Sequence, residues 1–109
     1  MTLNEYQAGA AATRTEETYG APIIYPTLGL TGEAGEVADK VKKVIRDNKG
    51  EFTPEKVKEI AYEVGDVLWY VSQLAADLGY SLEEIARMNL EKLAKRNKED
   101  KIHGNGDHR

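Results

Sequence analysis

A chain of 109 residues with 40% hydrophobic and 31% charged residues has the size of one domain and a well-solvated surface. Its net charge of −4 argues against a general binder of nucleic-acid polymer or anionic membrane, since both repel an acidic protein. The absence of cysteine excludes disulfides, thiolate nucleophiles and cysteine-held zinc or iron–sulfur sites. No apolar run reaches the roughly 18 residues of a membrane span. The N-terminus "MTLNEYQAGAAATRTEE" lacks the basic-then-apolar order of a secretory signal, so the expected location is cytoplasmic.

The elements in chain order are helical. Thr2 and Glu5 form a capping box that opens an alanine-rich helix expected to run to about Thr18. "YGAPIIYPTLG" carries Pro22 and Pro26 and breaks the helical period, so it reads as a loop; "PIIY" is the one place where a short strand could sit. The second helix is expected from about Thr27 to Asn48, with Leu30, Ala34, Val37, Ala38, Val41 and Ile45 on its apolar face and Gly50 in the left-handed conformation after its end. The third starts from Thr53 as cap and Pro54 at the first position, and stops at Gly79. Its apolar face is Val57, Ile60, Ala61, Val64, Leu68, Val71, Ala75 and Leu78. Ser81 and Glu84 box the start of a fourth helix expected to reach about Asn97, which leaves residues 1–97 as the domain and 98–109 as a polar, glycine-rich tail. His103 and His108 fall in that tail without ligand spacing. The fold class is all-α, a four-helix bundle-like protomer whose broad apolar faces call for a homo-oligomer, a dimer at least.

Two of these helices carry a matching acidic pattern. "TGEAGEVADKVKK" places Glu33 and Glu36 three apart around Gly35, with Lys40 and Lys43 continuing the row, and "YEVGDVLWY" places Glu63 and Asp66 around Gly65. Glu59, Glu63, Asp66, Tyr70, Gln73 and Asp77 follow helical spacing and make one stripe beside the apolar face. Antiparallel packing of the two helices would converge the two pairs. Four carboxylates together repel unless protonated or bridged by a cation, and an all-oxygen set suits Mg²⁺, with Mn²⁺ as its substitute. Gly35 and Gly65 would then permit close approach of the helices or of a substrate. A single E-x-x-E on a helix is far more often a solvated face than a ligand pair, and spacing alone leaves both readings open.

"GLTGEAGEVADKVKK", "EIAYEVGDVLWYVSQLAADLG" and "NLEKLAKR" together resemble the MazG-like nucleotide pyrophosphohydrolases over most of residues 3 to 97, and the ending "GNGDHR" is similar to compact, phage-type members. The resemblance implies Mg²⁺-dependent hydrolysis of a nucleoside triphosphate, a deoxynucleotide by expectation, to the monophosphate and pyrophosphate, serving house-cleaning or control of the nucleotide pool. It implies dimers or tetramers whose active sites involve more than one subunit. Carried over by residue, it makes Glu33, Glu36, Glu63 and Asp66 metal ligands, with Glu36 also accepting a proton from the attacking water. Asn89 and Lys92 on the fourth helix, with Arg96 on the same face, become substrate-binding residues. From Leu90 onward six basic and four acidic residues leave +2, against −6 for the remainder, so the cations for a phosphate end lie near this helix. One departure is Gly32, where many members have a further glutamate; a mechanism that needs that carboxylate does not transfer. Trp69, Tyr62 and Tyr70 are candidates for stacking a base, and Tyr6 and Gln7 for contacting base or sugar. Two other functions compete: a pyrophosphatase for a phosphoribosyl metabolite, and a non-catalytic helical dimerisation module with merely solvated carboxylates.

Overall fold

The computed structural model describes residues 1–15 and 21–103. They form four helices, α1 (Leu3–Ala11), α2 (Ile24–Asp47), α3 (Pro54–Asp77) and α4 (Leu82–His103), with no strand among the described residues, "PIIY" included. The expected punctuation appears at the helix ends. Thr2 Oγ1 accepts from the Glu5 amide at 3.0 Å while Glu5 accepts from the Thr2 amide at 2.7 Å. Thr53 caps α3 ahead of Pro54, and Ser81 with Glu84 boxes the start of α4. After α3, Gly79 takes φ 85°, Tyr80 N–H reaches Ala75 O and Gly79 N–H reaches Ala76 O, a Schellman closure that needs the glycine. Gly50 is likewise left-handed, at φ 74°.

Three boundaries differ from the sequence reading. α1 stops at Ala11 rather than near Thr18, whose neighbourhood, 16–20, lies outside the described residues. Alanine favours continuing the helix, but Thr13 Oγ1 donates to Ala10 O and accepts from the Trp69 indole, and Arg14 is held by Asp77. Tertiary bonds outcompete local propensity there. α2 begins at Ile24, three residues before Thr27, because a proline in the first turn gives up an N–H that has no intrahelical partner. Thr27 is then not a cap; its hydroxyl donates back to Ile23 O at 2.7 Å. α4 continues past Asn97 to His103, and "GNGDHR" lies outside the described residues.

α2 and α3 pack against each other along their length, while α1 and α4 pack on α3 and on one another. The pair is antiparallel: Gly29 lies against Tyr70, and Glu33 lies by Glu63 and Asp66, so numbers rise on one helix as they fall on the other. The side chains that face this seam are not quite those of the apolar stripes. On α2 they include Pro26, Leu30, Glu33, Val37 and Val44, while Ala34, Ala38 and Ile45 are exposed. On α3 they include Ile60, Glu63, Val67, Tyr70 and Leu74, whereas Val57, Ala61, Val64, Leu68 and Leu78 remain exposed. The expected apolar stripe of α3 is therefore largely uncovered.

The buried apolar side chains Ala10, Ala75 and Leu82 cluster with Ser72 and Gln73 where α1 meets the end of α3 and the start of α4. Gln7 fastens this junction: its amide nitrogen donates to Ser72 O and Tyr80 O, and its amide oxygen accepts from the Leu82 amide at 2.9 Å. That engagement gives Gln7 a structural task in place of the expected base or sugar contact. The protein is open in shape. Its accessible surface of 7836 Å² exceeds the roughly 6,000 Å² of a compact chain of this mass. Its radius of gyration is 17.5 Å, where about 13 Å is usual at this length.

Candidate metal and nucleotide site

Glu33 lies in the α2–α3 seam because Leu30 and Val37, three before and four after it, face the same way. Glu63 lies in the seam from the other side, and Asp66, one turn on, borders it in solvent. Glu33, Glu63 and Asp66 each bring a carboxylate oxygen within 4.8 Å of the others. Oxygens around one octahedral ion at about 2.1 Å stand about 3–4 Å apart, so small rotamer adjustments gather the three. No cation among the described residues pairs with them: Lys43 and Lys42 are engaged by Asp39, and Lys56 by Glu59. Burial, followed by the charges of Asp66, Glu63 and Glu36, raises the Glu33 pKa above the ordinary glutamate value. The donor set is all oxygen, acidic and without an internal counter-charge, and it fits a hard divalent cation such as Mg²⁺ or Mn²⁺.

Glu36 falls outside this group of three. Three helical positions turn it about 60° away from Glu33, and it is exposed, although near enough for its charge to act on Glu33. Gly35 and Gly65 do not bring the helices together: a Cβ at either would meet nothing within 4 Å. The glycine of close approach is Gly29, where a Cβ would collide with the Tyr70 ring.

A pocket of about 340 Å³ opens beside the carboxylates, lined by Thr13, Glu33, Asp66, Trp69 and Tyr70. Trp69 and Tyr70 meet edge to face with centroids 4.9 Å apart, and Tyr25 lies 6.4 Å from Tyr70. The Trp69 indole donates to Thr13 Oγ1 at 2.8 Å. Tyr62, by contrast, is exposed and lines a separate hollow with Lys58 and Ala61. Tyr6 stands within electrostatic reach of Asp66, and burial, then that charge, pushes its phenol above the usual pKa. Sequence reasoning missed Thr13, Tyr25 and Gly29 because each joins the site only through tertiary contact, with nothing local to mark it.

The rest of the acidic stripe has another use. Asp77 accepts two bonds from Arg14, at 2.9 and 3.0 Å, and a third from the Ile23 amide at 2.9 Å. Gln73 accepts from Arg14 as well, at 3.4 Å. Ile23 has φ 70° and ψ −52° with Ile24 N–H bonded to Pro22 O at 2.7 Å, a strained γ-turn for a β-branched residue that Asp77 helps to hold.

On α4, Asn89 and Lys92 are exposed and Arg96 is half-buried. The α4 and α2 backbones do not approach closely among the described residues, and the two helices share only the hollow lined by Leu30 and Ile85, a turn before Asn89, so these groups are not packed against the stretch of α2 that carries Glu33.

The family model of the MazG nucleotide pyrophosphohydrolase domain matches residues 26–100, which span both acidic helices and most of α4. The chain is 48% identical over 87 residues to the Gene 37 protein of Mycobacterium phage L5, covering 80% of this chain and 76% of that relative. No solved structure matches it.

Proposed function

Because the chain belongs to the MazG nucleotide pyrophosphohydrolase family, we propose that it hydrolyses a deoxynucleoside triphosphate to the monophosphate and pyrophosphate with Mg²⁺ as cofactor. The observation that carries this reading is the meeting of Glu33, Glu63 and Asp66 without a counter-ion beside a pocket walled by Trp69 and Tyr70. A triphosphate bound by metal needs such an acidic anchor, and its base needs an aromatic surface. Bound metal would neutralise phosphate charge and make the attacking water more acidic. Glu33, Glu63 and Asp66 would hold it. Glu36, beside them and open to solvent, accepts the proton of the water.

Asn89, Lys92 and Arg96 bind the outer phosphates, and they do so from a second copy of the chain, since within one copy α4 nears α2 only at the Leu30–Ile85 hollow. The uncovered Val57, Ala61, Val64, Leu68 and Leu78 stripe and the open shape support a homo-oligomer, a dimer or tetramer, in which those groups meet the carboxylates. No described helix is long and apolar enough to cross a membrane, in keeping with action in the cytoplasm.

A panel of nucleoside triphosphates assayed with Mg²⁺ for released pyrophosphate tests the reaction, with phosphoribosyl diphosphate compounds as the competing substrates. In ¹⁸O-water the label should enter the monophosphate and not the pyrophosphate. Label in pyrophosphate, or a nucleoside diphosphate product, would exclude attack at the α-phosphorus. Light scattering that gives an active monomer at micromolar concentration would exclude the shared site.

A further inference from the structure

We propose that Thr13 selects the base: the pocket prefers nucleotides whose base presents an exocyclic amino group to it, cytosine and adenine, over the carbonyl counterparts uracil and hypoxanthine. This inference rests on the nucleotide reading of the pocket and names the class of substrate within it. Thr13 lines the pocket. Its hydroxyl proton is committed, donated to Ala10 O at 2.7 Å, while one lone pair accepts from the Trp69 indole at 2.8 Å. A hydroxyl has one proton and two acceptor sites. What Thr13 can still offer a ligand is one lone pair.

The orientation is fixed from both sides. The indole N–H can only donate and the backbone carbonyl can only accept, so the Thr13 hydroxyl cannot reverse without breaking both bonds. Glu33 and Asp66 add further acceptors to the same wall. With the carboxylates assigned to metal and phosphate, the base stacks at Trp69 and Tyr70 and its edge meets Thr13. An amino group completes the bond there. A carbonyl would place oxygen against oxygen and lose its water without a replacement donor. Trp69 acts as a positioning residue for Thr13 as well as a stacking surface.

The test compares dCTP with dUTP and dATP with dITP, because within each pair the amino group is exchanged for a carbonyl at nearly constant shape. Steady-state kinetics with Mg²⁺ should give the amino member an advantage of about fivefold in kcat/KM, the low end for an unpaired polar group because Thr13 is exposed in the free chain. Thr13→Ser should retain that ratio, and Thr13→Val should bring it close to one. Binding supplies an independent readout, since Trp69 is the single tryptophan of the chain, and nucleotide stacking should quench its fluorescence with the same order of affinities. Equal affinities for the two members of each pair, a preference for the carbonyl member, or a preference that survives Thr13→Val would overturn the proposal. Hydrolysis without discrimination removes the role of Thr13 and keeps the enzyme. Discriminating quench without hydrolysis keeps the role and removes the enzyme. A fluorescence signal that no nucleotide moves, together with no hydrolysis of any, removes both.

Discussion

The two ends of the acidic stripe on α3 are built from the same residue types at the same helical spacing and end in opposite electrostatic states. At the C-terminal end Asp77 receives Arg14 and the Ile23 amide, and its pKa falls below the ordinary carboxylate range, chiefly through the Arg14 bond. Nearer the middle, Glu63 and Asp66 meet Glu33 instead of a cation, and the Glu33 pKa rises. A carboxylate supplied with its partner by the chain serves the fold. A set left without one keeps its mutual repulsion, which the proposed cation would relieve. Distinguishing the two required knowing what stands opposite, and position along the helix did not show it.

The largest separation should come in catalysis. Glu63→Gln or Asp66→Asn should lower kcat by about 10²–10³-fold, the usual cost of removing one preorganised charge from an active site. Asp77→Asn should keep kcat within a few fold, at temperatures where it is folded. Comparable catalytic losses at both ends would erase the distinction.

Next in size is stability. The Arg14–Asp77 pair is mostly buried, with side chains 19% and 12% exposed, and Asp77→Ala removes two of the guanidinium's bonds while Gln73 still accepts from it. A cost of about 3 kcal/mol follows, the lower end for a broken buried pair, read from urea unfolding. The pH dependence carries the same sign. A lowered pKa makes the Asp77 contribution fully present above its unfolded value, about 3.9, and lost as pH falls through the folded value. Acid unfolding of Asp77→Asn should lack that component.

Metal should then act at one end alone. At a hundredfold excess over its dissociation constant, Mg²⁺ or Mn²⁺ should stabilise the folded chain by about 2.7 kcal/mol. Glu63→Gln should weaken the response and Asp77→Asn should leave it intact. An undiminished shift in the Glu33, Glu36, Glu63 and Asp66 quadruple amide would dismiss the site.

The smallest effect has the opposite direction to the clasp at Asp77. With its pKa raised, Glu33 opposes folding once ionised, so stability declines as pH climbs from the unfolded value through the folded one. Without metal, Glu33→Gln should gain stability, by less than about 0.5 kcal/mol, since solvent reaching this half-buried position screens the repulsion. A loss of stability on this substitution would mean that the carboxylate has a partner after all.

Much of the fold was readable locally because caps and glycine stops act over a few residues: Thr2 with Glu5, Thr53 with Pro54, Ser81 with Glu84, and Gly79. The convergence of Glu33 with Glu63 and Asp66 followed from period plus antiparallel packing. What escaped depended on partners far along the chain. Thr13 and Arg14 end α1 because they bond to Trp69 and Asp77, and the inner seam is rotated from the purely apolar stripe because Glu33, Glu63 and Tyr70 belong to it. The glycines show the same limit. Gly35→Ala and Gly65→Ala enter open space and should stabilise the isolated chain by up to about 1 kcal/mol through helix propensity, whereas Gly29→Ala should destabilise by displacing Tyr70. Thermal melts of the three variants decide whether space or propensity governs each position.

The order of folding follows from how the two acidic ends are wired. α2 and α3 are consecutive and joined through residues 48–53, so the hairpin that gathers Glu33, Glu63 and Asp66 closes over a short loop. Arg14 and Asp77 lie 63 positions apart and close a far longer one. During synthesis, both arms of the hairpin can pair as soon as α3 emerges, whereas α1 waits until Asp77 and then Leu82 are available to receive it. The acidic site is thus early and local, and the N-terminal residues that shape its pocket arrive last.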